Sequence, residues 1–150
     1  MINTIRDYYQ IDENIATSGQ PTPQQFSLIA DAGYRVIINL AMSCSTNALA
    51  DEGAIVTDLG MVYVQIPVVW EHPRLEDVRL FFQATESFQD WRIWVHCAKN
   101  MRVSCFIYLW QKYVRQLPDA VAIYPMNEIW QPTGVWQELI EQSQSEFVLQ

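Results

Sequence analysis

Residues 92–104 read R-I-W-V-H-C-A-K-N-M-R-V-S, and their reading decides the fold. Ile93, Trp94 and Val95 form a short apolar run suited to a buried strand, and the run ends in His96-Cys97. Four residues separate Cys97 from Arg102, and a helix-like segment follows over residues 103–114. A strand that delivers a cysteine into a tight loop capped by a helix N-terminus sets a thiol beside an anion site. Unpaired N–H groups and the positive end of the helix dipole favour negative charge there. They also lower the thiol pKa, and the thiolate is the nucleophilic form. Arg102 adds a planar fork matched to an oxyanion.

On either side of this stretch, strand-like and helix-like runs alternate. Residues 14–17 read as a first strand and Ser18-Gly19-Gln20-Pro21 as a turn. Thr22-Pro23 opens a helix through about Ala32, with Gly33 at the favoured left-handed C-terminal position. The β-branched run 35–40 predicts a buried strand. Residues 47–59 predict a helix closed by Gly60, and 61–69 the next strand, with Pro67 near its end. A helix is expected over 73–89, the cysteine strand and its helix run to about 116, and a last amphipathic helix covers 132–145. Such alternation predicts an α/β fold, a mainly parallel central sheet of four to five strands with helices on both faces, in one domain spanning 1–150. Ligands of such sheets bind beyond the carboxyl ends of the strands. The loops carrying Cys44, Glu71 with His72, and Cys97 are therefore expected to gather at one site.

Half of the 150 residues are apolar and 17% are charged, as in a chain with a real core. A net charge of −8 argues against a nucleic-acid partner, whose backbone needs a basic surface. It also singles out Lys99 and Arg102, which keep positive charge beside the cysteine. No apolar run approaches a membrane span or a signal peptide, so neither membrane nor export is expected and the cytoplasm is the default compartment. Three cysteines do not suggest a disulfide framework. His96 and Cys97 are adjacent and His72 lies far upstream, so no metal site is expected; no nucleotide-binding glycine loop occurs, so no cofactor is expected. The oligomeric state is not legible.

V-H-C, a short loop, an arginine and Ser104 resemble the protein tyrosine and dual-specificity phosphatase superfamily. With S-G-Q-P-T-P-Q-Q-F, D-A-G-Y-R-V-I-I-N-L and Y-V-Q-I-P-V, the chain resembles a small bacterial phosphatase-like family related to the phosphatase-like domain of beta-lactamase hydrolase-like proteins. The resemblance implies a phosphomonoesterase acting on a phosphorylated small molecule or phosphoprotein through a Cys97 phosphocysteine. It implies that Ala98, Lys99, Asn100, Met101 and Arg102 cradle the phosphate, with Gln20, Trp70 and His72 near the rim. His96 would shape the loop or support the thiolate, and Ser104 would ease its departure. The superfamily's loop has five residues between cysteine and arginine; this one has four. An ungapped alignment keeps Ser104 and sets Val103 on the arginine position, whereas a one-residue deletion keeps Arg102 and displaces Ser104. The loop's usual glycine is missing, and Asn100 is the residue suited to a left-handed backbone. The family's acidic residue after the I-P-V strand is replaced by Val-Val-Trp-Glu-His-Pro, which leaves Glu71 as the general acid and His72 as second choice; Asp77 falls within the next helix. The short loop also fits a rhodanese-like sulfurtransferase, and the missing aspartate fits a non-catalytic phosphate-binding module. Cys44 is a candidate to pair with Cys97 under oxidation.

Overall fold

The computed structural model describes residues 1–147. After a 3₁₀ turn at Ile2–Thr4 come β1 (Tyr9–Gln10), β2 (Ile15–Ser18), α1 (Pro23–Asp31), β3 (Val36–Asn39), α2 (Glu52–Asp58), β4 (Val62–Gln65) and α3 (Leu75–Ser87). Then follow β5 (Ile93–His96), α4 (Met101–Tyr113), α5 (Asp119–Ala122), α6 (Met126–Ile129) and α7 (Val135–Glu146). The strands lie in the order β1-β2-β5-β3-β4; β2, β5, β3 and β4 are parallel and β1 is antiparallel at one edge. The expected mainly parallel α/β sheet is present, with five strands.

β2, β3 and β5 are buried on both faces, as an interior parallel strand must be. Their side chains alternate between two cores. Ile93, Val95, Cys97, Val36 and Ile38 enter a large core with Val103, Phe106 and Trp136 from α4 and α7. Trp94, Ile37 and Ala16 enter a smaller one with Phe26 and Val56 from α1 and α2. His96 follows Trp94 on that side, where its ring meets Phe26 edge-on at 5.9 Å. The dipeptide His96-Cys97 thus straddles the sheet.

Local chemistry explains most element ends. Thr22 caps α1 by accepting from the Gln25 N–H while the Gln25 side chain accepts from the Thr22 N–H, and Gly33 takes φ 96° beyond its end. Three expectations are corrected. The helix expected over 47–59 is reduced to α2, because residues 42–51 are held in turns and the Asn47 amide reaches across to the Ala98 carbonyl. The strand expected over 61–69 pairs fully only through Gln65. Beyond it Val68 still donates to Leu40, but Pro67 has no N–H to offer. The helix after the cysteine begins at Met101, directly behind Asn100, rather than at 103.

Candidate active site

Cys97 leaves β5 at the carboxyl end of the sheet, 1% exposed. Three residues later Asn100 turns the chain with φ 64° and ψ 6°, the left-handed geometry that the missing glycine would have supplied, and α4 starts. The loop is tied from outside. The Ala98 carbonyl accepts from the Gln20 N–H and from Asn47 Nδ2, both at 3.1 Å. Asn100 Nδ2 donates to the Asp7 carbonyl at 2.8 Å and to Thr17 Oγ1 at 3.1 Å. Gly19 permits this approach, since a Cβ there would lie 2.8 Å from the Ala98 oxygen.

These ties occupy a carbonyl and a side chain and leave the donors free. Among the described residues, none of the six consecutive backbone N–H groups from Ala98 to Val103 has a hydrogen-bond partner. Four of them head a 13-residue helix or its cap. Arg102 is 9% exposed, and its Nε is buried without a partner. Its guanidinium carbon lies 5.4 Å from the centre of the Trp70 ring. Among the described residues this buried cation has no carboxylate partner, and an oxyanion would satisfy both it and the row of unpaired donors. Lys99 is exposed and Met101 half-buried on the same loop.

Trp70, Trp130 and Trp136 form a cluster with ring centres 5.3–6.0 Å apart. Trp136 Nε1 donates to the Trp70 carbonyl at 2.9 Å, which fixes the 66–73 loop against α7. Trp70 is half-buried beside Arg102, while Glu71 and His72 are exposed on the adjoining turn. Asp77 is buried and spent: it accepts from the Arg74 N–H and guanidinium at the start of α3.

Two site residues differ from expectation. The Ser104 hydroxyl donates to the Met101 carbonyl at 2.8 Å and accepts from Trp130 Nε1 at 3.0 Å, so its proton is committed to the helix rather than to Cys97. Gln20 adjoins the loop through its backbone, but its side chain turns inward and donates to Glu52 Oε1 at 2.7 Å instead of facing a rim.

Glu52 is the residue that sequence reasoning missed. It is 4% exposed, and its Oε2 faces His96 Nε2 at 2.7 Å and accepts from Asn39 Nδ2 at 3.2 Å. The other His96 nitrogen, Nδ1, lies 3.2 Å from the Cys97 carbonyl. Asn39 Nδ2 also donates to the Tyr63 hydroxyl at 3.0 Å. Burial works to raise the Glu52 carboxyl, but hydrogen bonds and charge from His96, with bonds from Gln20 and Tyr63, outweigh it and hold it below the usual value. Burial pushes the Tyr63 hydroxyl well above its ordinary value, and does the same to the Cys105 thiol in the large core. A lone acidic residue at a helix start reads as a partner of the dipole. Only an unmatched buried histidine before the cysteine could have prompted a search for a carboxylate.

Cys44, exposed, and Cys97 and Cys105, buried, are all free thiols. Among the described residues no group of three or more His, Cys, Asp or Glu side chains could hold a metal, and no helix is long and apolar enough to cross a membrane.

A family model described as "DSP-PTPase phosphatase fused to NAD+ Kinase" matches residues 6–144. Among solved structures, a DUF442 protein from Shewanella putrefaciens CN-32, named as a candidate phosphatase, is 39% identical with a TM-score of 0.88, over 97% of this chain and 96% of that one. Tk-PTP in its active form is 16% identical with a TM-score of 0.77, over 93% and 97% of the two chains. PTPMT1 in complex with PI(5)P is also 16% identical, with a TM-score of 0.78 over 94% and 96%. The last two share the fold. No curated protein sequence matches the chain.

Proposed function

The chain belongs to the small dual-specificity and tyrosine phosphatase family whose model spans residues 6–144, and from that membership we propose that it hydrolyses a phosphomonoester through Cys97. The whole chain acts as one phosphatase-like domain in this reading. The Cys97 thiolate attacks phosphorus as the P–O bond to the leaving group breaks, giving a phosphocysteine. Glu71 protonates the departing oxygen. Its carboxylate then takes a proton from water, whose oxygen attacks phosphorus; the S–P bond breaks and inorganic phosphate and the thiolate are released. The free N–H groups from Ala98 to Arg102 and the Arg102 fork hold the equatorial oxygens and neutralise their charge. Lys99 adds positive charge at the mouth, and Trp70 and His72 border it.

The observation that carries this reading is the row of unpartnered N–H groups beside the unpaired, buried Arg102. It also supports the one-residue deletion as the alignment that preserves function, with Arg102 in the arginine's role. The substrate class is a phosphorylated small molecule or phosphoprotein. The family's description joins such a domain to an NAD+ kinase, which makes the 2′-phosphate of NADP a substrate to assay alongside p-nitrophenyl phosphate.

The test is p-nitrophenyl phosphate hydrolysis from pH 5 to 8. Turnover is expected in the wild type, absent in Cys97→Ser and reduced about 10²–10³-fold in Arg102→Ala. Glu71→Gln is expected to lose about 10²-fold or more. A wild type as inert as Cys97→Ser would overturn the enzyme. The committed Ser104 hydroxyl favours a second reading, a module that holds the oxyanion without release. That reading expects phosphate to raise the melting temperature of the wild type but not of Arg102→Ala, with no turnover in either.

A further inference from the structure

We propose that Trp136 is a positioning residue: its indole N–H holds the peptide that joins Trp70 to Glu71 and so aims the Glu71 carboxyl at the leaving oxygen. The proposal rests on Glu71 acting as the general acid of the hydrolysis. Trp136 stands on the first turn of α7 and is 1% exposed. Its Nε1 donates to the Trp70 carbonyl at 2.9 Å. That carbonyl and the Glu71 N–H belong to one planar peptide unit, so fixing the oxygen fixes the direction in which the chain enters Glu71. The Trp70 side chain is held as well, its ring centre 5.3 Å from that of Trp136 and 5.4 Å from that of Trp130. The same ring lies beside the Arg102 guanidinium. One buried side chain on α7 thus orients the acid relative to the arginine that would hold the phosphoryl oxygens.

Little else ties this loop down. It is moored at its two ends, where the Val68 N–H donates to Leu40 and where Pro73 is buried. Between them, among the described residues, the one other hydrogen bond runs from the His72 N–H to the Val69 carbonyl, inside the loop itself. Glu71 and His72 are exposed, so no packing of their own fixes them. Behind the loop lies a cavity of about 290 Å³, with His72 and Arg74 on one side and Val135, Glu138 and Gln142 of α7 on the other. It leaves the loop room to shift once the indole bond is lost. The anchor itself is firm: Trp136, Leu139 and Ser143 are buried along one face of α7, and Phe106 of α4 meets the Trp136 ring at 6.2 Å.

The experiment compares kcat/KM for phenyl phosphate and for 2,4-dinitrophenyl phosphate in Trp136→Phe, which keeps an aromatic ring and loses the donor. Phenolate needs a proton as it leaves and dinitrophenolate does not, so only the first ester reads the acid. The phenyl ester is expected to lose about 10-fold more than the dinitrophenyl ester. In a Glu71→Gln background, Trp136→Phe is expected to widen that gap no further. Equal losses with the two esters, or a gap that widens again without the Glu71 carboxyl, would overturn the proposal. Should Trp136→Phe not fold, ¹⁵N relaxation of the wild type decides. An order parameter of about 0.85 at the Glu71 amide is expected, and one below about 0.6 would overturn it. Relaxation reads the loop without turnover. In an inactive protein, a Glu71 amide that loosens in Trp136→Phe keeps Trp136 as the anchor and removes only the phosphatase, whereas one that does not loosen removes the anchor.

Discussion

Asn100 holds a left-handed backbone while its amide spans from the loop to Asp7 and Thr17. The two demands can be separated by substitution. Asn100→Gly keeps the φ and loses both hydrogen bonds, each worth about 1 kcal/mol net, with some relief because Asn100 Oδ1 is buried without a partner. Asn100→Ala loses the same bonds and adds about 1 kcal/mol of backbone strain. Urea unfolding should therefore rank wild type above Gly above Ala, and a reversal of the last two would contradict the argument. The turn at Asn100 was legible in the sequence, because a contracted loop without glycine leaves one residue suited to that conformation. The orientation of Ser104 was not. Its hydroxyl is oriented by Trp130, 26 positions away, and spacing within the loop carries no trace of that contact.

Where α3 begins, Asp77 accepts from both the backbone and the side chain of Arg74, filling the place of an N-terminal cap. Asp77→Ala is expected to cost about 1 kcal/mol of stability, seen as a lower melting temperature, while kcat/KM per folded molecule stays at the wild-type value. A 10²-fold fall in kcat/KM would instead make Asp77 the general acid and displace Glu71. Capped and periodic elements were the readable ones: α1 with its Thr22-Pro23 start, the buried runs of β3 and β5, and α7. The stretch before α2 failed because Asn47 spends its side chain on a carbonyl 51 positions later, a tertiary demand that overrides local helical character. β1 escaped notice for a related reason: two residues at an antiparallel edge are too short to show a period.

Across the whole molecule, protonation equilibria couple the site to stability. Glu52 is held below the usual carboxylate value in the folded protein, so its contribution is fully present above the unfolded value of about 4.3 and is lost as pH falls through the lower folded one. Urea midpoints should fall more steeply for wild type than for Glu52→Gln between pH 5 and 3; parallel curves would show that the carboxylate is not linked to folding. The architecture was read from alternation alone, because a parallel sheet with two buried faces imposes that pattern on the chain. The pairing of Glu52 with His96 was not, since they lie 44 positions apart and only the packing of α2 against the sheet brings them together. That sheet has one more consequence. Cys97, Trp70 and Trp130 lie on the side of the large core, whereas His96 and the residues that hold it lie on the other. The reagent and its setting are thus built as separable modules with a wall of backbone between them. A designer could recut the mouth for a different ester, or rebuild the polar network behind the loop, and leave the other half of the apparatus intact.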